Sequence, residues 1–297
     1  MAVRILVTGG AGYVGSALCE HLLNAGHQVT VLDNMSVAQR TLFHLVGNDR
    51  FDFVFGDSRN ESLMREQVAK HDVIVPLAAV VGAPACDENP DLAQSLNVGA
   101  IQTLDKLRSH DQLVVYPTTN SGYGTQSGDV YCTEETPLEP ISLYGRTKCQ
   151  AEEILLGSKR SITLRLATLF GFAPRLRLDL MVNHFVYTAI NEGAIVLFEK
   201  DFKRNFLHVR DAADCFLHCI DNADDMVGRP FNVGRDEENM SKWELAQRIK
   251  KHVPTFYIHA AEIGFDVDKR NYIVSNQRLR EAGFEAGRSL DAGIREL

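Results

Sequence analysis

The apolar run Ile5-Leu6-Val7 breaks directly into glycines at 9, 10, 12 and 15, within Thr8-Gly9-Gly10-Ala11-Gly12-Tyr13-Val14-Gly15. A strand that ends in glycines at this spacing and runs on into a helix has few ways to fold. The first glycine permits a tight turn, the second lets backbone approach a pyrophosphate, and the third lets the helix pack close on the sheet. The head of that helix then offers unpaired N–H groups to phosphate oxygens. Both flanks fit: Ser16 to Ala25 reads as helix and Gln28 to Leu32 as strand. Asp33 closes the second strand, 18 residues beyond Gly15. A carboxylate there accepts hydrogen bonds from adenosine ribose hydroxyls and repels a 2′-phosphate, which favours NAD over NADP. Arg40, the nearest basic candidate, lies several residues on. Gly9, Gly12, Tyr13, Val14 and Gly15, with Asp33 and Asn34, are the candidate cofactor contacts.

The chain of 297 residues can bury a large core, as one large domain or two smaller ones. A net charge of −8 argues against sequence-independent nucleic-acid binding, which needs a basic surface. The N-terminal apolar stretch is too short for a signal peptide, and no apolar run approaches the ~20 residues of a membrane span. A cytoplasmic protein without a membrane partner is expected. The cysteines at 19, 86, 132, 149, 215 and 219 have no Cys-x-x-Cys spacing, so buried free thiols are expected rather than disulfides or zinc ligands. His208 and His218 read as packing residues, and no metal site is expected.

Strand-like and helix-like segments alternate through Phe51–Phe55, Ser62–Lys70, Val73–Val75, Leu92–Arg108, Gln112–Tyr116, Ala151–Leu156 and Ile162–Leu166. This is the pattern of a doubly wound α/β fold, a Rossmann-type parallel sheet with helices on both faces. Beyond Gly171 the rhythm loosens into an arginine- and proline-rich stretch, Ala173 to Leu180, and then helices at Val182–Glu192 and Ser241–Lys251. The expected division is a nucleotide-binding domain over 1–171, with 205–233 returning to it, and a smaller substrate-binding lobe over 172–204 and 234–297.

Tyr144 and Lys148 stand four apart at the predicted start of a helix and so share one face. A phenol is a poor base at pH 7, but an adjacent ammonium favours its phenolate, and Tyr144 could then take a proton from a sugar hydroxyl. Coupled to the glycine turn, this pair resembles the extended short-chain dehydrogenase/reductases, the family of nucleotide-sugar epimerases and dehydratases. The likeness covers nearly the whole chain and is closest in pattern to the UDP-glucose 4-epimerase-like branch.

The resemblance implies further roles. Gly56-Asp57-Ser58 is similar to an adenine-contacting segment, Leu77-Ala78-Ala79 to a nucleotide-facing strand end, and Asn97 to a helix asparagine at the cofactor. Thr119, four residues before Tyr123-Gly124, matches the family's third catalytic group beside Tyr144 and Lys148. Arg204, in Arg204-Asn205-Phe206-Leu207-His208-Val209-Arg210-Asp211, and Arg270, in Asp268-Lys269-Arg270-Asn271-Tyr272, match arginines that meet the nucleotide diphosphate; Asn183 matches a sugar or phosphate contact. Arg175 and Arg177 are unassigned. The family also pairs the helix near Leu92–Arg108 with the Tyr144 helix in a homodimer, and Leu96, Ile101, Leu104 and Leu107 recur at helical spacing.

Asn120 and Ser121 follow Thr119 where the 4,6-dehydratase branch carries Asp and Glu. An amide does not titrate and an alcohol is a poor base, so dehydration is disfavoured. A branch that epimerises C3 and C5 has a cysteine at the position of Ser121, and that base is missing too. The expected chemistry is hydride transfer at C4 of a nucleotide-diphosphate sugar, as a C4 epimerase or else as a dehydrogenase or 4-keto reductase; a silent NAD-binding module is the reading that Tyr144 and Lys148 disfavour. Thr119, Asn120, Ser121, Asn183, Arg204 and Arg270 are the candidate substrate contacts.

Overall fold

The computed structural model describes residues 2–37, 39–126, 130–262 and 270–297. Its strands, in chain order, are β1 (Arg4–Thr8), β2 (Gln28–Asp33), β3 (Phe51–Phe55), β4 (Val73–Pro76), β5 (Leu113–Thr119), β6 (Tyr131–Cys132), β7 (Ser161–Leu166), β8 (Thr168–Phe170), β9 (Ala194–Leu197), β10 (Lys203–His208), β11 (Pro230–Val233), β12 (Asn239–Ser241), β13 (Tyr257–Ala260) and β14 (Ile273–Val274). The helices are α1 (Tyr13–Asn24), α2 (Glu61–Val68), α3 (Ala83–Glu88), α4 (Pro90–Gln94), α5 (Ala100–Leu107), α6 (Leu143–Leu156), α7 (Met181–Asn191), α8 (Val209–Asp221), α9 (Ala223–Met226), α10 (Lys242–His252), α11 (Gln277–Glu281) and α12 (Leu290–Glu296), with a π turn at Ser95–Gly99 joining α4 to α5.

Seven strands form one parallel sheet in the order β11-β7-β5-β4-β1-β2-β3. Period-two alternation divides β1 between two helical layers. Ile5 and Val7 enter a core with Leu18 and Leu22 of α1 and Phe216 of α8. Leu6 enters the opposite core, with Ile101 and Leu104 of α5 and Leu155 of α6. Both faces are thus covered, as a doubly wound sheet requires. The order turns back between β1 and β4, and a ligand crevice opens at the carboxyl ends of strands at such a switch point.

Strand pairing shows where the chain leaves the main sheet. The last main-sheet rung on this edge is Ala167 N–H to Val233 O at 2.8 Å. The next residues, β8, leave to pair with β10 in a three-stranded sheet with β12. Phe170 and Phe206 sit in the core of that smaller unit with α7, α10 and α12. By pairing, β8 and β10 thus belong to the smaller sheet, while Leu207 of β10 lies in the main core and Leu169 of β8 packs against it. Leu279 of α11 and Ala286, late in the chain, pack into the main core as well.

The apolar stripe taken as a dimer face is internal. Ile101 and Leu104 are buried under the sheet and Leu107 packs beside them, so helical spacing recorded core packing here. All six cysteines are unpaired thiols, five of them buried. Among the described residues no helix is long and apolar enough to cross a membrane. His208 caps α8, its Nδ1 accepting from Arg210 N–H at 3.2 Å. That acceptor role leaves Nε2 to donate to Glu296 at 2.7 Å, and burial holds the ring's pKa down.

Candidate active site

A cavity of about 620 Å³ opens at the switch point, within the size range of small-molecule sites. The glycine loop forms one end. Gly9 has φ +71°, and a Cβ there would stand 2.5 Å from Ala78 N; at Gly15 it would stand 2.5 Å from Gly10 Cα. Gly12 opens α1 with no side-chain cap, so the first-turn N–H groups stay available to a ligand. Asp33 is fixed beside the loop, accepting from Ala11 N–H at 3.0 Å and Met35 N–H at 2.8 Å. Two acceptor groups held in this way keep lone pairs for ribose hydroxyls. Asn34, Asp57, Ser58 and Leu77–Ala79 line the same end. Arg59, at 2.6 Å, holds the Asp57 carboxyl below its usual range. A loop with no room for side chains, free helix-head donors and a positioned carboxylate together fit a dinucleotide.

Thr119, Ser121, Tyr144, Lys148 and Arg270 line the cavity too. Ser142 starts α6 by accepting from Gly145 N–H at 3.1 Å, which sets Tyr144 and Lys148 in the first turns. Thr119 Oγ1 lies 2.8 Å from Ser121 Oγ, and an Arg270 Nη1 donates to the same Ser121 oxygen. Behind them Glu152 of α6 accepts from Arg165 Nη2 at 2.7 Å and from Thr118 Oγ1 at 2.9 Å. This buried pair, which nothing in the motif reading flagged, fastens the end of β5 to α6 and so fixes Thr119 relative to Tyr144.

The electrostatics differ from the expected arrangement. Burial pushes the Tyr144 phenol up to about 12. The cations that oppose this most are Arg270 and Arg177, rather than Lys148. Burial brings the Lys148 ammonium down to about 7, opposed chiefly by Glu152. Its Nζ sits 4.0 Å from the centroid of the Tyr116 ring, a cation–π distance. The apposition of ammonium and phenol inferred from spacing alone is thus a weaker feature than the arginines that arrive from distant sequence.

Four expected contacts do not line the cavity. Asn97 is a strut, its amide bonding Val80 N–H and C=O at 2.8 and 3.0 Å and Thr147 Oγ1 at 3.1 Å. Asn183 accepts from Gly171 N–H at 3.0 Å and donates to Arg177 O at 2.9 Å, shaping the loop after β8. Arg204 is buried, its guanidinium 5.6 Å from the Tyr272 ring centroid and donating to Lys203 O at 2.9 Å. Asn120 is fully buried, and neither polar atom of its amide has a partner among the described residues. Arg175, Arg177 and Tyr272 line the cavity instead; the arginine pair in the proline-rich stretch was the available signal. Residues 268 and 269 of the second arginine segment lie outside the described residues.

Residues 5–234 match the model of the NAD-dependent epimerase/dehydratase family. The chain is 31% identical over 270 residues to a protein of Bacillus subtilis described as an uncharacterized UDP-glucose epimerase, YtcB, covering 84% of this chain and 79% of that one. It is 26% identical to UDP-glucuronic acid decarboxylase 1 of Danio rerio, covering 84% of this chain but only 60% of that protein. Among solved structures, UDP-glucuronic acid 4-epimerase from Bacillus cereus, in complex with UDP-glucuronic acid and NAD, superposes with a TM-score of 0.87 at 22% identity, over 99% of this chain and 97% of that one. The dTDP-glucose 4,6-dehydratase of Bacillus anthracis gives 0.84 at 23%, over 99% and 95%. With its glycine loop, its Tyr144–Lys148 helix and a family match over most of its length, this chain belongs to the NAD-dependent epimerase/dehydratase family of enzymes.

Proposed function

We propose that the enzyme epimerises C4 of a nucleotide-diphosphate sugar. The observation that carries this reading is what the end of β5 presents to the cavity: Thr119 and Ser121 line it with Tyr144 and offer hydroxyls, while Asn120 between them is buried away from it, so this stretch brings no carboxylate to the site. Such a wall can exchange the proton of a hydroxyl but has no acid and base pair for expelling water. Bound NAD supplies the hydride acceptor and donor for one sugar carbon, and its oxidised ring is cationic. The glycine loop, Asp33, Asn34, Asp57 and Ser58 would hold it. Tyr144 exchanges the C4 hydroxyl proton. Its phenol is neutral at pH 7 in the unliganded chain, so added positive charge is needed before it acts as a base. Arg270 and Arg177 supply part of that charge. Thr119 hydrogen-bonds the reacting oxygen, and Arg270 shifts from Ser121 to the diphosphate, where a guanidinium fork suits paired oxygens. A net C4 dehydrogenase or 4-keto reductase would use the same residues.

A panel of nucleotide sugars incubated in deuterated water and followed by mass spectrometry tests the reading. An epimerase returns product of unchanged mass with no added cofactor, no water loss and no deuterium on carbon. A dehydrogenase returns product roughly two mass units lighter with NAD reduced. Loss of water, loss of carbon dioxide or deuterium at C5 would overturn both. Tyr144→Phe should cut turnover by about 10²- to 10⁴-fold while NAD stays bound; an unchanged rate would remove Tyr144 from the mechanism.

A further inference from the structure

Arg175 plays no part in the sugar chemistry above, yet it lines the same cavity. Its main chain is tied to the dinucleotide loop: its N–H donates to Ser16 Oγ at 3.3 Å, and Ser16, in the first turn of α1, donates to Tyr13 O at 3.2 Å. The neighbouring Arg177 already has a carboxylate partner, Asp179. No acceptor meets the Arg175 guanidinium among the described residues, and its Nε is buried without a partner. A guanidinium has five N–H donors and keeps its charge at any ordinary pH. Burying part of one without an acceptor costs free energy that a bound anion returns. The first turn of α1 contains no acidic residue, and Gly12 leaves its head uncapped, so main-chain donors and an unpaired guanidinium anchored to the same turn border one space.

We propose that Arg175 binds the pyrophosphate of the dinucleotide, completing with the N–H groups at the head of α1 a two-part anion site. This rests on the proposed placement of NAD in the cavity. The sugar's diphosphate is the other anion within the cavity, but Arg175 is moored to Ser16, whereas Arg270 contacts Ser121 beside Thr119. Two different anions therefore have two different arginines.

Calorimetric titration of the full chain, stripped of nucleotide, with NAD, ADP-ribose, adenosine and UDP tests this. Arg175→Ala should weaken NAD and ADP-ribose by about 10- to 100-fold, with adenosine and UDP unchanged. The loss should shrink as salt rises. Arg175→Lys should recover part of it, since a point charge replaces a fork, and thermal unfolding of both variants checks that the chain is intact. Equal NAD affinity in wild type and Arg175→Ala would overturn the proposal, as would a loss confined to UDP. A wild-type chain that fails to bind NAD would instead overturn the placement of the dinucleotide.

Discussion

On the β1–α1 side of the cavity the functional groups are main-chain atoms, and the side chains that matter there are mostly absent: Gly9, Gly12 and Gly15 clear the space, and the first-turn N–H groups fill it with donors. On the opposite side they are long side chains, Arg270 and Tyr272, carried in from an irregular segment held by a bridge between Asn271 and Thr125 and by the short pairing of β14 with β6. The first kind of surface tolerates no added atom but needs no particular side chain. The second depends on which way each side chain is turned. Arg204 shows this, since it lies buried against Tyr272 while Arg270 reaches the cavity.

Replacing Gly9 should break the main-chain side most completely. Gly9→Ala puts a Cβ within 2.5 Å of Ala78 N at a φ of +71°, which strains any L residue. We expect NAD affinity to fall by at least about 10²-fold with the circular dichroism of the sheet retained; unchanged affinity would mean that the loop does not bind phosphate through its backbone. The second contrast separates the two arginines. Arg270→Ala should raise KM for the nucleotide sugar by roughly 10- to 100-fold with little change in melting temperature. Arg204→Met should lower the melting temperature by several degrees, as loss of a buried polar network does, with KM unchanged. A KM effect at Arg204 would restore the role its motif suggested. The smallest effect lies far from either surface. Asp291, between Arg248 and His252, is held down to about 2, chiefly by Arg248. A carboxylate whose pKa is depressed on folding adds stability above its unfolded value, and that stability is lost as pH falls through the folded one. Asp291→Asn should therefore lower the melting temperature by a few degrees at pH 7, after discounting for its exposure, with the difference closing toward pH 2.

The sheet, the glycine loop and the Tyr144–Lys148 helix were legible because each is encoded within a short stretch of chain. Apolar runs, turn residues and helical spacing act locally, so Ile5 to Gly15 carries its own context. The departures are non-local. Asn97 and Asn183 bear the residue type of a ligand contact, but buried amides satisfied by backbone groups serve as struts. The pKa values of Tyr144 and Lys148 are set by burial, which spacing does not record. Arg175 and Arg177 become cavity residues because the chain after Gly171 folds back on Ser16. The departure from the main sheet after Ala167 was hidden by the shortness of β8, three residues that continue β7 in sequence but not in pairing.

The main sheet is complete at Val233, the end of β11, while Arg270 and Tyr272 come later in the chain. On the ribosome, where residues emerge N-terminus first at about 5–20 per second, all seven central strands are available seconds before the last wall of the cavity exists. Leu279 and Ala286, which pack into the core beneath that sheet, are made later still. The strands of the nucleotide-binding half are thus the first part of the molecule to be synthesised, and the packing that finishes it is among the last.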